Sequence, residues 1–152
     1  MRDSVTVHMN ASADQVWDLV TDITRIGEFS PETFEAQWMG GATGPAVGAR
    51  FKGHVKRNGR GPTYWAPCEV TDYTPKTVFG FTVLVGNRRV NNWRYELAAT
   101  EDGVDVTESF QLEPTLLNKM YWALAGRFRS KTNRDGMLTT LNRMKAVVEG
   151  VE

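Results

Sequence analysis

The chain has 152 residues, enough for one domain that buries roughly 68–70% of the surface its unfolded form would expose. Eighteen basic and eighteen acidic residues leave no net charge, which argues against a dedicated nucleic-acid binder. One cysteine, Cys68, beside only His8 and His54 excludes an internal disulfide and leaves no Cys/His ligand set for a metal.

Met1 to Asn10 alternates as a strand, with Val5, Val7 and Met9 against Ser4, Thr6 and His8. It has no charged-then-apolar signal pattern, and no segment approaches a membrane-spanning apolar run, so the expectation is a cytoplasmic protein without a transmembrane segment. Ser12 with Gln15 makes a capping-box signature, and Val16, Leu19, Val20 and Ile23 then recur at helical spacing. Asp22 can cap a second short helix through Phe29, which Pro31 ends.

From residue 34 to 113 the pattern changes to six strands with turn punctuation. Phe34, Ala36 and Trp38 open the series, and the glycine-rich loop Gly40 to Gly48, either a lid or a turn, follows. Phe51 to Val55 leads into Asn58-Gly59, a strong hairpin signal, and Tyr64 to Tyr73 returns. Val78 to Val85 comes next, then the strand carrying Trp93, Tyr95 and Leu97, and last the one carrying Val104, Val106, Glu108, Phe110 and Leu112 on one face. No dinucleotide fingerprint, phosphate loop, C-x-x-C pair, nucleophile elbow or internal repeat interrupts this meander.

Residues 115 to 149 form the one long helical stretch, beginning just after Pro114. Its first half repeats Leu117, Met120, Tyr121, Leu124 and Phe128; its second repeats Met137, Leu138, Leu141, Met144 and Val148. At about 100° per residue the two stripes point roughly 130° apart, so a straight helix cannot bury both against one surface. The expectation is a kink or break near Gly126 or Gly136, rather than a straight helix of which only one half packs on the core.

Strand, two short helices, six strands and a long helix describe an α+β fold with a seven-stranded antiparallel sheet. A strongly curved sheet wrapped on the last helix should leave an interior space, and that is where function would sit. The succession resembles the helix-grip fold of the START-related superfamily over the whole chain. The run Asp22-Ile23-Thr24-Arg25-Ile26-Gly27-Glu28-Phe29-Ser30-Pro31-Glu32, then Trp38, Gly44 to Phe51, and Val106-Thr107-Glu108-Ser109-Phe110 resemble a bacterial branch, the polyketide cyclase/dehydrase and lipid-transport family. Phe29 and Phe110 stand where that branch is expected to have tryptophan. The resemblance implies a hydrophobic-ligand cavity and no cofactor, and the word cyclase implies a reaction that members need not perform.

Strict alternation puts Glu108 on the apolar face between Val106 and Phe110, and inward carboxylates are rare. It is the candidate general acid or base, or else the polar anchor of a ligand or of a neighbouring indole or tyrosine donor. The expected pocket is lined by Trp93, Tyr95, Phe110 and Phe81 from the strands, by Leu117, Met120 and Leu124 from the first helix half, and by Glu69 if its face permits. His54 faces solvent if Phe51 and Val55 face inward; for Glu69 neither face can be chosen. Arg127, Arg129, Lys131 and Arg134 make a basic run on the long helix. The leading reading is a binder of a small hydrophobic molecule, lipid, polyketide or isoprenoid-like, acting as monomer or homodimer without nucleic acid. Its rivals are a cofactor-independent cyclase or dehydratase using Glu108 with Tyr95 or His54, and an interaction module using the basic helix face over a filled interior.

Overall fold

The computed structural model describes residues 2–56 and 61–150, with side chains throughout except at 117–118, 121–122 and 125–130. Seven strands form one antiparallel sheet: β1 (Arg2–Met9), β2 (Thr33–Met39), β3 (Arg50–Val55), β4 (Tyr64–Thr74), β5 (Val78–Val85), β6 (Arg88–Thr100) and β7 (Gly103–Leu112), in the spatial order β1-β7-β6-β5-β4-β3-β2. The meander from β2 to β7 is what short turns permit; β1 then closes on β7, with Val5 opposite Glu108. The Asn58-Gly59 turn expected between β3 and β4 lies outside the described residues, but the two strands it would join are paired, Val55 opposite Tyr64.

Between β1 and β2 run α1 (Ala13–Thr21) and a 3-10 helix, Ile23–Glu28. Ser12 caps α1 as its sequence signature predicts: its hydroxyl accepts from the Gln15 backbone N–H while the Gln15 side chain accepts from the Ser12 N–H. Asp22 caps the 3-10 helix through the Thr24 N–H. Gly27 is required where this helix meets β2, because a Cβ there would collide with the Phe34 carbonyl. That close approach holds Ile26 and Ser30 against the open end of the sheet.

The sheet bends at three register shifts, between Thr33 and Glu35, Val70 and Asp72, and Val83 and Leu84. Each bulge adds local twist, and together they turn one face into a trough. Across it lies α2 (Leu116–Glu149), an uninterrupted helix of 34 residues. Of the kink or break expected near Gly126 or Gly136, the break does not occur. Instead α2 stays helical and packs chiefly on β1 and β7 with its second half. Met137, Leu141 and Met144 are fully buried with Met9, Val16, Leu19, Val104 and Val106, whereas Leu138 is partly turned to solvent. Each such aliphatic side chain contributes about 1.5–3 kcal/mol by leaving water. The described apolar side chains of the first half have no comparable cover: Leu116 is 76% exposed, Met120 56% and Leu124 86%.

Candidate functional site

The alternation along β7 is regular from Val104 to Phe110, so the side chains of Val104, Val106, Glu108 and Phe110 all enter the trough and all are buried. Three of them meet apolar neighbours. Glu108 instead borders a cavity of about 340 Å³ between the sheet and α2. Its walls come from Phe51, Gly53 and Val55 on β3, Cys68 on β4, Phe81 and Val83 on β5, Asn91, Trp93 and Tyr95 on β6, and Asn133, Gly136, Met137 and Thr140 on α2, with Ile26 and Ser30 at the 3-10 end.

Glu108 is 4% exposed. Its Oε1 accepts the Tyr95 hydroxyl proton at 3.1 Å, directly across the β6–β7 register, and its Oε2 has no partner. Burial disfavours the charged form and pushes the carboxyl up to about 8, an effect partly offset by the Tyr95 hydrogen bond. Burial likewise holds Tyr95 well above its ordinary value, and the neighbouring carboxyl adds to that. At neutral pH the site therefore holds a carboxylic acid and a phenol, both neutral. With Tyr95 donating to Oε1, the acid proton belongs on Oε2, the oxygen left without a protein partner. Cys68, on the opposite wall, is raised to about 12 by burial and is an inert thiol at neutral pH.

The expected pocket residues divide. Trp93, Tyr95 and Phe81 line the cavity together with Glu108. Phe110 is buried against Trp93, ring centroids 4.8 Å apart, and does not reach the cavity wall. Glu69 alternates with Cys68, so it points to the other face of β4, where Arg50 lies 3.3 Å away. Met120 and Leu124 are exposed and away from the cavity, and the Leu117 side chain lies outside the described residues. Among the described residues, those of α2 that line the cavity run from Thr132 to Thr140 rather than at Met120 and Leu124.

His54 is also removed from any partnership with Glu108. Phe51 and Val55 face inward, so His54 stands on the outer face, its Nδ1 2.7 Å from Glu35 and its ring stacked on Trp65 at 4.2 Å. No residue of the Gly40 to Gly48 loop lines the cavity. Lys131 and Arg134 are exposed, and the side chains of Arg127 and Arg129 lie outside the described residues.

Asn133 was missed. It lies within the polar run that separates the two apolar stripes, yet it stands four residues before Met137 and eight before Leu141, on the buried stripe itself. It is 5% exposed, and its Nδ2 has no partner. A polar residue in phase with a core stripe was the available signal.

An open antiparallel sheet with a C-terminal helix is the fold that the compared structures share. The model of the family described as polyketide cyclase/dehydrase and lipid transport matches residues 2–149. The chain belongs to this family. A solution structure of the Polyketide_cyc-like protein Cgl2372 from Corynebacterium glutamicum is 30% identical, covering 98% of this chain and 83% of that one, with a TM-score of 0.53. Protein NE0264 from Nitrosomonas europaea shares the fold at 14% identity and a TM-score of 0.74, over 99% of this chain and 95% of that one. The di-domain ARO/CYC protein StfQ of the steffimycin biosynthetic pathway shares it at 11% identity and a TM-score of 0.75, over 98% of this chain and 50% of that one. No curated protein is significantly similar in sequence. For a polyketide cyclase/dehydrase and lipid transport family member, the interior between sheet and helix is where this chain places its buried acid. Among the described residues, no helix is long and apolar enough to cross a membrane, and no cluster of three or more His, Cys, Asp or Glu could hold a metal ion.

Proposed function

We propose that this protein binds a small, largely apolar molecule, lipid, polyketide or isoprenoid-like, in the cavity between the sheet and α2, with Glu108 as its polar anchor. The observation that carries the reading is a space of about 340 Å³ walled mostly by apolar and aromatic side chains with one buried acid in it. That is the composition of a small-molecule site, and an unfilled interior speaks against an interaction module that works only through its surface. Membership of a family described by polyketide cyclisation and lipid transport supports the same class of ligand. Native mass spectrometry of freshly purified protein, followed by titration with a fluorescent naphthalene dye, tests it. A retained small molecule or saturable 1:1 binding is expected; absence of both overturns the proposal.

A second reading, a cofactor-independent cyclase or dehydratase, is favoured by one observation: Tyr95 lies within hydrogen-bond reach of Glu108. Proton transfer needs such a second group, whereas an anchor does not. Glu108→Gln separates the two. As an anchor, Glu108 contributes on the order of 1 kcal/mol to ligand affinity. As an acid or base, its replacement lowers turnover of a polyketide-like substrate by roughly 10²–10⁴ while binding persists.

A further inference from the structure

The residues lining the cavity carry an unusual set of unpaired polar atoms. Glu108 Oε2 on β7, Asn133 Nδ2 on α2 and Asn91 Oδ1 on β6 are all buried, all belong to cavity-lining residues, and none has a protein partner. Glu108 and Asn133 are themselves more than nine-tenths buried. Buried polar groups are almost always satisfied, so three orphans from three elements around one space point to groups supplied by an occupant. The charged side chains complete the argument. Among the described residues lining the cavity the only Asp, Glu, Lys, Arg or His side chains are Glu32 and Glu108, both acids.

We propose that this cavity, given the hydrophobic-ligand reading on which the inference rests, selects an uncharged ligand that carries a carbonyl oxygen, received by Glu108 and Asn133, and a hydroxyl that donates to Asn91. A protonated Glu108 and the Asn133 amide are both donors, and a carbonyl oxygen has two lone pairs to accept from them. Asn91 Oδ1 is an acceptor and calls for a donor on the same molecule. A carboxylate ligand would be buried beside an acid with no cation among the described lining residues, the arrangement that desolvation penalises most. An ammonium ligand would require Glu108 to ionise against its burial and would turn a positive charge towards the Asn133 N–H. Ligands that bring a full charge to the Glu108 end are therefore disfavoured, and neutral hydroxy-ketones of mixed ring and chain character are favoured.

The test uses five naphthalenes of one shape: 2-ethylnaphthalene, 2-acetylnaphthalene, 6-acetyl-2-naphthol, 2-naphthoate and 2-(aminomethyl)naphthalene, titrated calorimetrically into the full chain at pH 6.5. The ketone is expected to bind roughly three- to tenfold more tightly than the ethyl compound, as one net neutral hydrogen bond implies, and the hydroxy-ketone more tightly again. The carboxylate and the amine should bind at least about tenfold more weakly than the ketone. Asn133→Leu should reduce the preference for ketone over ethyl compound, since Glu108 still donates, and leave the ethyl compound's affinity in place; should that variant not fold, the five affinities of the parent decide alone. A carboxylate or amine that binds as tightly as the ketone overturns the inference. So does a ketone no tighter than the ethyl compound, and in that case the hydrophobic-ligand reading survives. If none of the five binds, both fall.

Discussion

The two halves of α2 belong to one unbroken helix and carry similar apolar repeats, but their surroundings are opposite. From Asn133 to Met144 the stripe is sealed against the sheet; from Leu116 to Leu124 the described apolar side chains are in solvent. Apolar spacing alone therefore does not decide burial. What decides it is which angular sector of a continuous helix meets the trough, and β1 and β7 fix that sector by packing on the second half. The largest expected effect follows. Leu141→Ala, at a side chain with no exposure, should cost about 2–5 kcal/mol in denaturant unfolding, because transfer and cavity terms add. A loss below about 1 kcal/mol would mean that the second half is not the sealed one.

The seal has an electrostatic consequence. Glu108 lies under the second half of α2 and is raised to about 8, mainly by burial. Below its ordinary value near 4.5, both folded and unfolded chains hold the proton, and the neutral acid adds no penalty. As pH rises towards 8 the unfolded chain releases the proton and the folded chain keeps it, so stability falls, by on the order of 3 kcal/mol at pH 7. Glu108→Gln removes this dependence while keeping the shape and an acceptor for Tyr95. The difference in unfolding free energy between parent and variant should accordingly drift in the variant's favour from pH 5 to pH 8. His8 is raised by its hydrogen bond to Asp105 and by Asp102, but it is common to both proteins and cancels in the difference. Parallel pH profiles would show a hydrated Glu108 and a second half that does not seal the trough.

How far the sequence carries the reader depends on the range over which each signal acts. The seven strands, the capping box at Ser12 and the inward parity of Glu108 are local. Each is written in residues two to four positions apart, and β7 keeps its alternation without a bulge. The site's other wall is not local. Bulges at Phe34, Thr71 and Val90 reset parity along β2, β4 and β6, and the rotation of α2 about its axis depends on packing across more than 100 residues of chain. The pocket's helical side was therefore assigned to Met120 and Leu124 instead of Asn133 and Met137, and Glu69 could not be given a face. The kink or break expected in α2 rested on the premise that both stripes must be buried, and the described members of the first stripe, Met120 and Leu124, are exposed.

Hydrogen exchange resolves the comparison along the helix itself. Amides from Met137 to Val148 should be better protected than those from Leu116 to Leu124, since opening the second half exposes core and opening the first exposes little. An apolar ligand in the cavity touches the helix through residues 133 to 140, so it should widen this gap. At a free concentration of ten times its dissociation constant the added protection is about 1.4 kcal/mol, confined to the second half. Added protection concentrated between Leu116 and Leu124 would place the ligand where the apolar repeat of the first half first suggested, not in the cavity that Glu108 borders.

The smallest expected effect is the most discriminating for the exposed half. Leu124 is 86% exposed, so Leu124→Lys removes almost no buried apolar area and introduces a charge that water can solvate fully. Lysine is also about as good a helix former as leucine. Stability should change by no more than about 0.5 kcal/mol, and affinity for a naphthalene ligand should stay within about twofold, because no atom of Leu124 borders the cavity. Two measurements on one variant then separate the alternatives: if unfolding is unchanged but binding weakens tenfold, the first half closes over the ligand after entry. If unfolding itself is weakened by 2 kcal/mol or more, the scale of a core leucine, Leu124 is covered in solution and the two halves of α2 are not opposites.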